Sequence, residues 1–166
     1  MTGFKLGFAR LARGAAWLGI VLSALVHVAS WFGFALWREF AFLHIGIFIF
    51  FIPAAASKRN RQKPRMRWPP QDPPWATKAI QIAGINALVH FAAFFWLAEG
   101  GGAQLRDGHY LLLDHGKLIR ELTAHEYAWQ MAHEARSFSA GWLLFYLFLL
   151  VWYWRPETAF APAAPT

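Results

Sequence analysis

Four long apolar stretches that hold almost no charge constrain this chain more than any other feature. A hydrocarbon layer about 30 Å thick requires roughly 20 apolar residues per helix, with about 17 as the lower limit. Residues 14–37 and 40–56 meet this requirement without a charged residue. Residues 78–98 and 138–154 form the third and fourth stretch. The predicted fold is therefore an all-α membrane protein with four transmembrane helices.

The overall composition agrees with a membrane protein. Of the 166 residues, 57% are hydrophobic and 15% are charged, whereas ordinary globular chains contain about a quarter charged residues. The many aromatic residues exclude a disordered chain. Because the chain has no Cys, disulfides, thiolate metal sites and cysteine nucleophiles are excluded.

The distribution of positive charge predicts the orientation of the spans. Lys and Arg residues that flank a span are retained on the cytoplasmic side. Most of the 16 Lys and Arg residues lie in the N-terminal segment, in residues 58–77 and after the last span. Both termini are therefore predicted to be cytoplasmic, in the inner membrane of a bacterium. The net charge of +7 then reflects membrane topology, and no nucleic-acid partner is expected.

The predicted cytoplasmic loop, residues 58–77, begins with a dense run of cations and continues with a Pro-rich stretch. Each basic residue near an anionic leaflet contributes about 1 kcal/mol to membrane attraction. The loop is therefore predicted to bind anionic phospholipids through six residues: Lys58, Arg59, Arg61, Lys63, Arg65 and Arg67. The Ala/Pro-rich residues 155–166 are predicted to be a disordered cytoplasmic tail.

Residues 99–137 are the only sizeable segment predicted outside the membrane. Residues 109–114 and 117–122 flank His115-Gly116, which predicts a β-hairpin because Gly readily adopts positive φ. A two-residue turn would pair Asp114 with Lys117, Leu112 with Ile119 and Tyr110 with Glu121. Thr123 and Glu126 form a capping-box pattern, and the helix that they start is predicted to follow the membrane surface before turning into the fourth span.

Residues 108–146 resemble a segment of small uncharacterised bacterial multi-pass membrane proteins. The resemblance rests on a spaced motif: Gly108, Tyr110, His115, Gly116, Ile119 to Thr123, Glu126, Tyr127, Glu134, Arg136, Phe138, Ser139, Trp142, Phe145 and Tyr146. The chain departs from the pattern at Ser137 and Gly141, where Gly and His are expected. The resemblance implies a defined fold for the external segment and no known activity.

Polar residues within the apolar stretches are the candidate functional groups, because imidazoles and amides are costly in hydrocarbon. His27 and His90 fall at similar depths near the middle of the first and third spans, with Ser23 and Asn86 one turn away from them. Small residues at every fourth position in the first span allow close approach of a second helix. We therefore expect the first and third helices to meet and to bury these four residues as one cluster.

Several roles are open to this cluster. The favoured interpretation is an interhelical hydrogen-bond network. His27 and His90 also satisfy the requirement of a b-type haem for two neutral imidazoles from different helices. Quinone, pigment or proton-handling roles use the same residue types.

The sequence offers no pattern typical of an enzyme. The histidines of the predicted external segment lack the i,i+4 spacing that would place two of them on one metal ion from one helix, and no Ser lies in a nucleophile elbow. We therefore predict a non-catalytic accessory subunit of a larger bacterial membrane complex, respiratory or photosynthetic, whose partners are other membrane-protein subunits. The alternative is a small bis-His b-type cytochrome that uses His27 and His90.

Overall fold

A computed structural model describes residues 2–56 and 74–154 of the chain. Its elements, in chain order, are helix α1 (Thr2–Trp31), helix α2 (Phe42–Ala56), helix α3 (Ala76–Leu97), strands β1 (Gly102–Arg106), β2 (His109–Asp114) and β3 (Lys117–Glu121), and helix α4 (Ala124–Tyr153). The structure is thus mostly helical with one small sheet, as a membrane fold of this kind requires. The predicted lipid-binding run and the predicted C-terminal tail lie outside the described residues.

Three of these helices are long and apolar enough to cross a membrane: α1 from Gly7 to Trp31, α3 and α4. Helix α2 has 15 residues, which corresponds to about 22 Å at the usual rise, and it is shorter than a full span. Three of the four predicted spans thus fall on helices that are long and apolar enough to cross a membrane, and the second predicted span is a shorter apolar helix in the described structure.

The boundary of the first predicted span is wrong. Helix α1 ends at Trp31 and not at Trp37, because the chain turns at Gly33, whose φ of +87° favours a residue without a side chain. Residues 32–41 form turns that lead into α2. This connection is itself apolar, with Phe32 and Phe34 exposed in it, so hydropathy alone extended the span through it.

Helix α4 is the centre of the bundle, and it packs against α1, α2 and α3. The capping box of Thr123 and Glu126 is confirmed at its start. The predicted surface helix that turns into a separate span is wrong, because α4 runs without a break from Ala124 to Tyr153. No Pro interrupts this stretch and its one Gly, Gly141, is helical, so nothing in it ends the helix before the membrane.

Helix α1 approaches α4 closely because of its small residues. Ala16 and Gly19 are buried, and Gly19 lies so close to the ring of Tyr146 that a Cβ atom would collide with it. The small-residue stripe of the first helix therefore faces α4. This differs from the expectation that it would face the third helix.

Three aromatic side chains with polar tips join α4 to α2. The indole Nε1 of Trp142 donates to His44 Nδ1 over 3.1 Å. The hydroxyl of Tyr146 donates to the carbonyl of Leu43, and that of Tyr153 donates to the carbonyl of Phe50. Because these groups follow one another along one face of α4, the short α2 is held along most of its length.

The segment between α3 and α4 forms a three-stranded antiparallel sheet in the order β1-β2-β3, where the sequence predicted a two-stranded hairpin. The turn at His115-Gly116 and the pairing of Asp114 with Lys117 are confirmed. The missed strand β1 joins β2 through Asp107-Gly108, where both residues have positive φ. Asp-Gly between apolar runs is a strong hairpin signal, so the sequence did contain this information.

The other two predicted strand pairs are wrong. An irregularity between Leu112 and Leu113 shifts the register, so that Leu112 lies opposite Arg120 and Leu111 opposite Glu121. A bulge of this kind changes which face each later residue occupies. As a result Arg120 turns towards the bundle, where it meets two carboxylates.

Candidate functional site

The structure brings His27 and His90 together, as predicted. Their rings are in edge-to-face contact, with 5.1 Å between the ring centroids. His27 Nδ1 lies 3.0 Å from the Oγ of Ser139 in α4, and that hydroxyl lies 2.6 Å from the carbonyl of Ala135. Since the hydroxyl has one proton, which it donates to this carbonyl, the hydrogen-bond pattern assigns a proton to His27 Nδ1 and leaves Nε2 free to accept.

The other two residues of the predicted cluster occupy different environments. Ser23 is buried, but its hydroxyl donates to the carbonyl of Gly19 in the same helix over 2.6 Å. Asn86 is half-buried on α3. The side chain that binds the histidine pair is therefore Ser139 of α4, and not Ser23 or Asn86.

Helix α4 contributes two residues that the sequence reasoning placed outside the membrane region. Arg136 is buried, and its NH2 group donates to the carbonyl of Ser30 over 3.1 Å. The NH1 group of Arg136 lies 3.3 Å from His133 Nε2. The guanidinium also lies over the ring of Trp31, 4.5 Å from the centroid. We call His27, His90, His133 and Arg136 the His–Arg cluster.

A sequence signal for these additional members existed. His133 and Arg136 are three residues apart, so they share a helix face, and the unbroken helical pattern from Ala124 onward places that face in the bundle. The prediction of a separate surface helix did not place His133 and Arg136 in the bundle. The partner of Arg136 on α1 could not be read from the sequence, because it is a backbone carbonyl.

The cluster connects three helices. Ser137 of α4 donates to the carbonyl of His90 in α3 over 2.9 Å, while Arg136 and Ser139 bind α1. The ring of Trp31 also contacts His90, with 5.9 Å between centroids. Arg136 Nε is buried and has no partner among the described residues. The bonds from Ser139, Arg136 and Ser137 each cross from α4 to another helix, which is what an interhelical network requires.

The direct contact between the rings of His27 and His90 is unfavourable for a haem held between them. A haem held by both His27 and His90 would need room between the two imidazoles. The rings are in direct contact, so the helices would have to separate to admit one. No group of three or more His, Asp or Glu in residues 2–56 and 74–154 is placed to hold a metal ion.

A second polar site lies at the end of the bundle that carries the sheet. Arg120 of β3 donates to both carboxylate oxygens of Glu99, over 3.2 and 3.0 Å, and to Glu126 over 2.8 Å. We call these three residues the Arg120 triad. The hydrogen bonds from Arg120 lower the pKa of Glu99 below its ordinary value, and both carboxylates raise the pKa of Arg120.

The triad joins three elements of the fold. Glu99 follows α3, Arg120 belongs to β3 and Glu126 lies in the first turn of α4. It therefore fixes the sheet against the ends of two helices. Tyr110 of β2 adds a ring contact to Tyr127 of α4, with 4.8 Å between centroids.

Comparisons with known proteins identify no relative: no family model, no curated protein and no solved structure matches the chain.

Proposed function

We propose that the chain is a non-catalytic accessory subunit of a larger bacterial membrane complex. The observation that supports this role is the apolar surface of the sheet, which lies beyond the ends of the apolar helices. Leu105, Leu118 and Ile119 are exposed there. Apolar side chains are covered by lipid on a membrane helix, but on an extramembrane sheet they face water unless a protein covers them.

The sheet also has two open edges. Strands β1 and β3 are its outer strands, and each offers unpaired backbone groups to a neighbouring chain. A small sheet with open edges and exposed Leu and Ile residues is typical of a surface that is buried in an assembly.

The His–Arg cluster supports a structural role for the bundle. His27 of α1 is engaged by Ser139 of α4, and Arg136 of α4 donates to the carbonyl of Ser30 in α1. These side chains hold helices together, and in the proposed role they thereby position the sheet.

The test is to purify the full chain from its native membrane under mild detergent and to measure the molar ratio of the proteins that remain bound. We expect a fixed set of larger subunits at constant ratio. A Leu118→Lys variant places a charge on the exposed apolar surface and should reduce this recovery at least about tenfold. The matched control is His115→Lys in the same hairpin, because the His115 side chain is almost fully exposed and lies in the polar turn.

Two results would contradict the proposal. One is a monodisperse monomer that retains no protein partner under the mildest extraction. The other is a complex that survives Leu118→Lys and His115→Lys equally well, since the sheet surface would then not be the contact.

A further inference from the structure

A cleft opens beside the Arg120 triad, at the junction of α3, the sheet and α4. Its volume is about 390 Å³, within the range of about 300 to 1,000 Å³ typical of ligand pockets. Its polar lining comes from Glu99, Arg120, Glu126 and Gln130, and its apolar lining from Trp96, Leu97 and Trp129. The cleft is thus acidic and aromatic at once.

The charges in the cleft do not cancel. Glu99 and Glu126 share the single guanidinium of Arg120, so one negative charge remains in excess. Each oxygen of Glu99 accepts one hydrogen bond from Arg120, and a carboxylate oxygen has a second lone pair that can accept another. The cleft therefore favours a cation with several N–H donors.

The two tryptophans point to the same ligand charge and to a location at the membrane surface. Trp side chains prefer the headgroup zone, and a Trp ring attracts a cation within about 6 Å of its face. Trp96 is 86% exposed at the last turn of α3, so its ring is not needed by the core of this chain.

An apolar stripe leads away from the cleft along α3. Val89, Ile85 and Ile82 share a helix face with Trp96, because they lie 7, 11 and 14 residues before it in a helix with 3.6 residues per turn. All three are exposed. The stripe extends for about 21 Å at the usual rise, which is long enough to accommodate an acyl chain.

We propose that this cleft binds a phospholipid with a primary ammonium headgroup, of the phosphatidylethanolamine class, in the leaflet on the sheet side. Glu99 and the two Trp rings receive the ammonium, Arg120 lies beside the phosphate, and the acyl chain follows the stripe on α3. A soluble cation would use the headgroup site alone, whereas a lipid would also use the stripe that adjoins it, and this favours a lipid. The inference is independent of the accessory role.

The test uses the full chain, delipidated in detergent and titrated with one phospholipid at a time. Native mass spectrometry counts the bound lipids for phosphatidylethanolamine, phosphatidylglycerol and phosphatidylcholine with identical acyl chains. We expect phosphatidylethanolamine to bind most tightly, because phosphatidylglycerol has no ammonium and the choline group has no N–H donor.

Two variants locate the binding. Trp96→Ala should weaken phosphatidylethanolamine binding about threefold to tenfold, whereas Phe95→Ala, the exposed neighbour outside the cleft lining, should leave it unchanged. Glu99→Gln removes the excess negative charge and should shift the preference towards phosphatidylglycerol. The high exposure of Trp96 makes its replacement harmless to folding.

The proposal is overturned if phosphatidylglycerol binds the unmodified chain as tightly as phosphatidylethanolamine does. It is also overturned if the preference for phosphatidylethanolamine survives both Trp96→Ala and Glu99→Gln, because the lipid would then be bound elsewhere.

Discussion

The two sides of α4 are built differently. Towards α1 and α2 its side chains are buried in a continuous apolar core that contains Trp142 and Tyr146. Towards α3, helix α4 donates hydrogen bonds from Ser137 to the carbonyl of His90 and from Gln130 to the carbonyl of Leu97. Apart from Ala76 at its start, α3 has no buried residue among those described.

This difference indicates how the bundle is stabilised. In lipid, helices associate through van der Waals packing and hydrogen bonds, because the acyl chains are as apolar as the side chains. Towards α1 and α2, helix α4 packs closely, and the polar groups of Trp142, Tyr146 and Tyr153 donate hydrogen bonds to α2. The α3 side uses the hydrogen bonds of Ser137 and Gln130 and the Arg120 triad. At the other end of α3 the ring of Trp75 contacts that of Trp154, with 5.6 Å between centroids.

The largest expected effect is at Trp142, which is 1% exposed. Trp142→Ala should lower the free energy of unfolding by about 3 kcal/mol, because it opens a cavity and leaves His44 without its donor. SDS titration in mixed micelles measures this change. Trp96→Ala is the control, since Trp96 lies on the α3 side and is exposed. Equal destabilisation by the two variants would contradict the distinction between the two sides.

The next largest effect is at the contact between α1 and α4. Gly19→Ala places a methyl group against the ring of Tyr146, and overpacking of this kind costs about 1 to 3 kcal/mol. Gly14 in the same helix has open space around its Cβ position, so Gly14→Ala should be neutral or stabilise by about 0.5 to 1 kcal/mol through better helix propensity. The same unfolding measurement compares them, and a Gly19→Ala protein as stable as Gly14→Ala would show that α1 does not approach α4 here.

The parts of this architecture that the sequence reveals are those set by local patterns. The existence of the apolar helices follows from hydropathy, the start of α4 from Thr123 and Glu126, and one hairpin turn from His115-Gly116. Asp107-Gly108 predicts a second hairpin turn equally well, and with it strand β1. By contrast, the small-residue stripe of α1 shows that a helix approaches closely but not which helix it is, because α3 and α4 both offer polar residues at suitable depths.

The site was predictable to the same limited extent. The depth of His27 and His90 suggested their contact correctly. The roles of Ser139 and Arg136 depend on the position of α4 between α1 and α3, which is a property of three helices together. The irregularity at Leu112–Leu113 sets the position of Arg120, and hairpin rules predict a regular register instead.

Smaller effects are expected within the His–Arg cluster. Ser139→Ala removes the acceptor of His27 and should cost about 1 kcal/mol, while Ser137→Ala removes one bond to the backbone of α3 and should cost about 0.6 kcal/mol. A double-mutant cycle of Ser139→Ala with His27→Ala measures the first contact. A coupling energy of zero would show that His27 is not bound to Ser139.

The smallest effect concerns the exposed Arg120 triad and depends on pH. The hydrogen bonds from Arg120 lower the pKa of Glu99 in the folded protein, so this contact stabilises the fold above the ordinary pKa of a Glu. The contribution is lost as the pH falls through the lowered pKa of Glu99. Because the group is exposed, solvent screening keeps the effect small.

Glu99→Gln isolates this contribution. The unmodified protein should have the higher unfolding midpoint near neutral pH, and the difference should vanish on acidification, because a protonated Glu99 is as neutral as Gln. Glu121→Gln is the control, since the Glu121 carboxylate lies 3.9 Å from His109 and outside the triad. A difference between Glu99→Gln and the unmodified protein that stays constant across the acidic range would mean that the charge of Glu99 does not hold the sheet to α3.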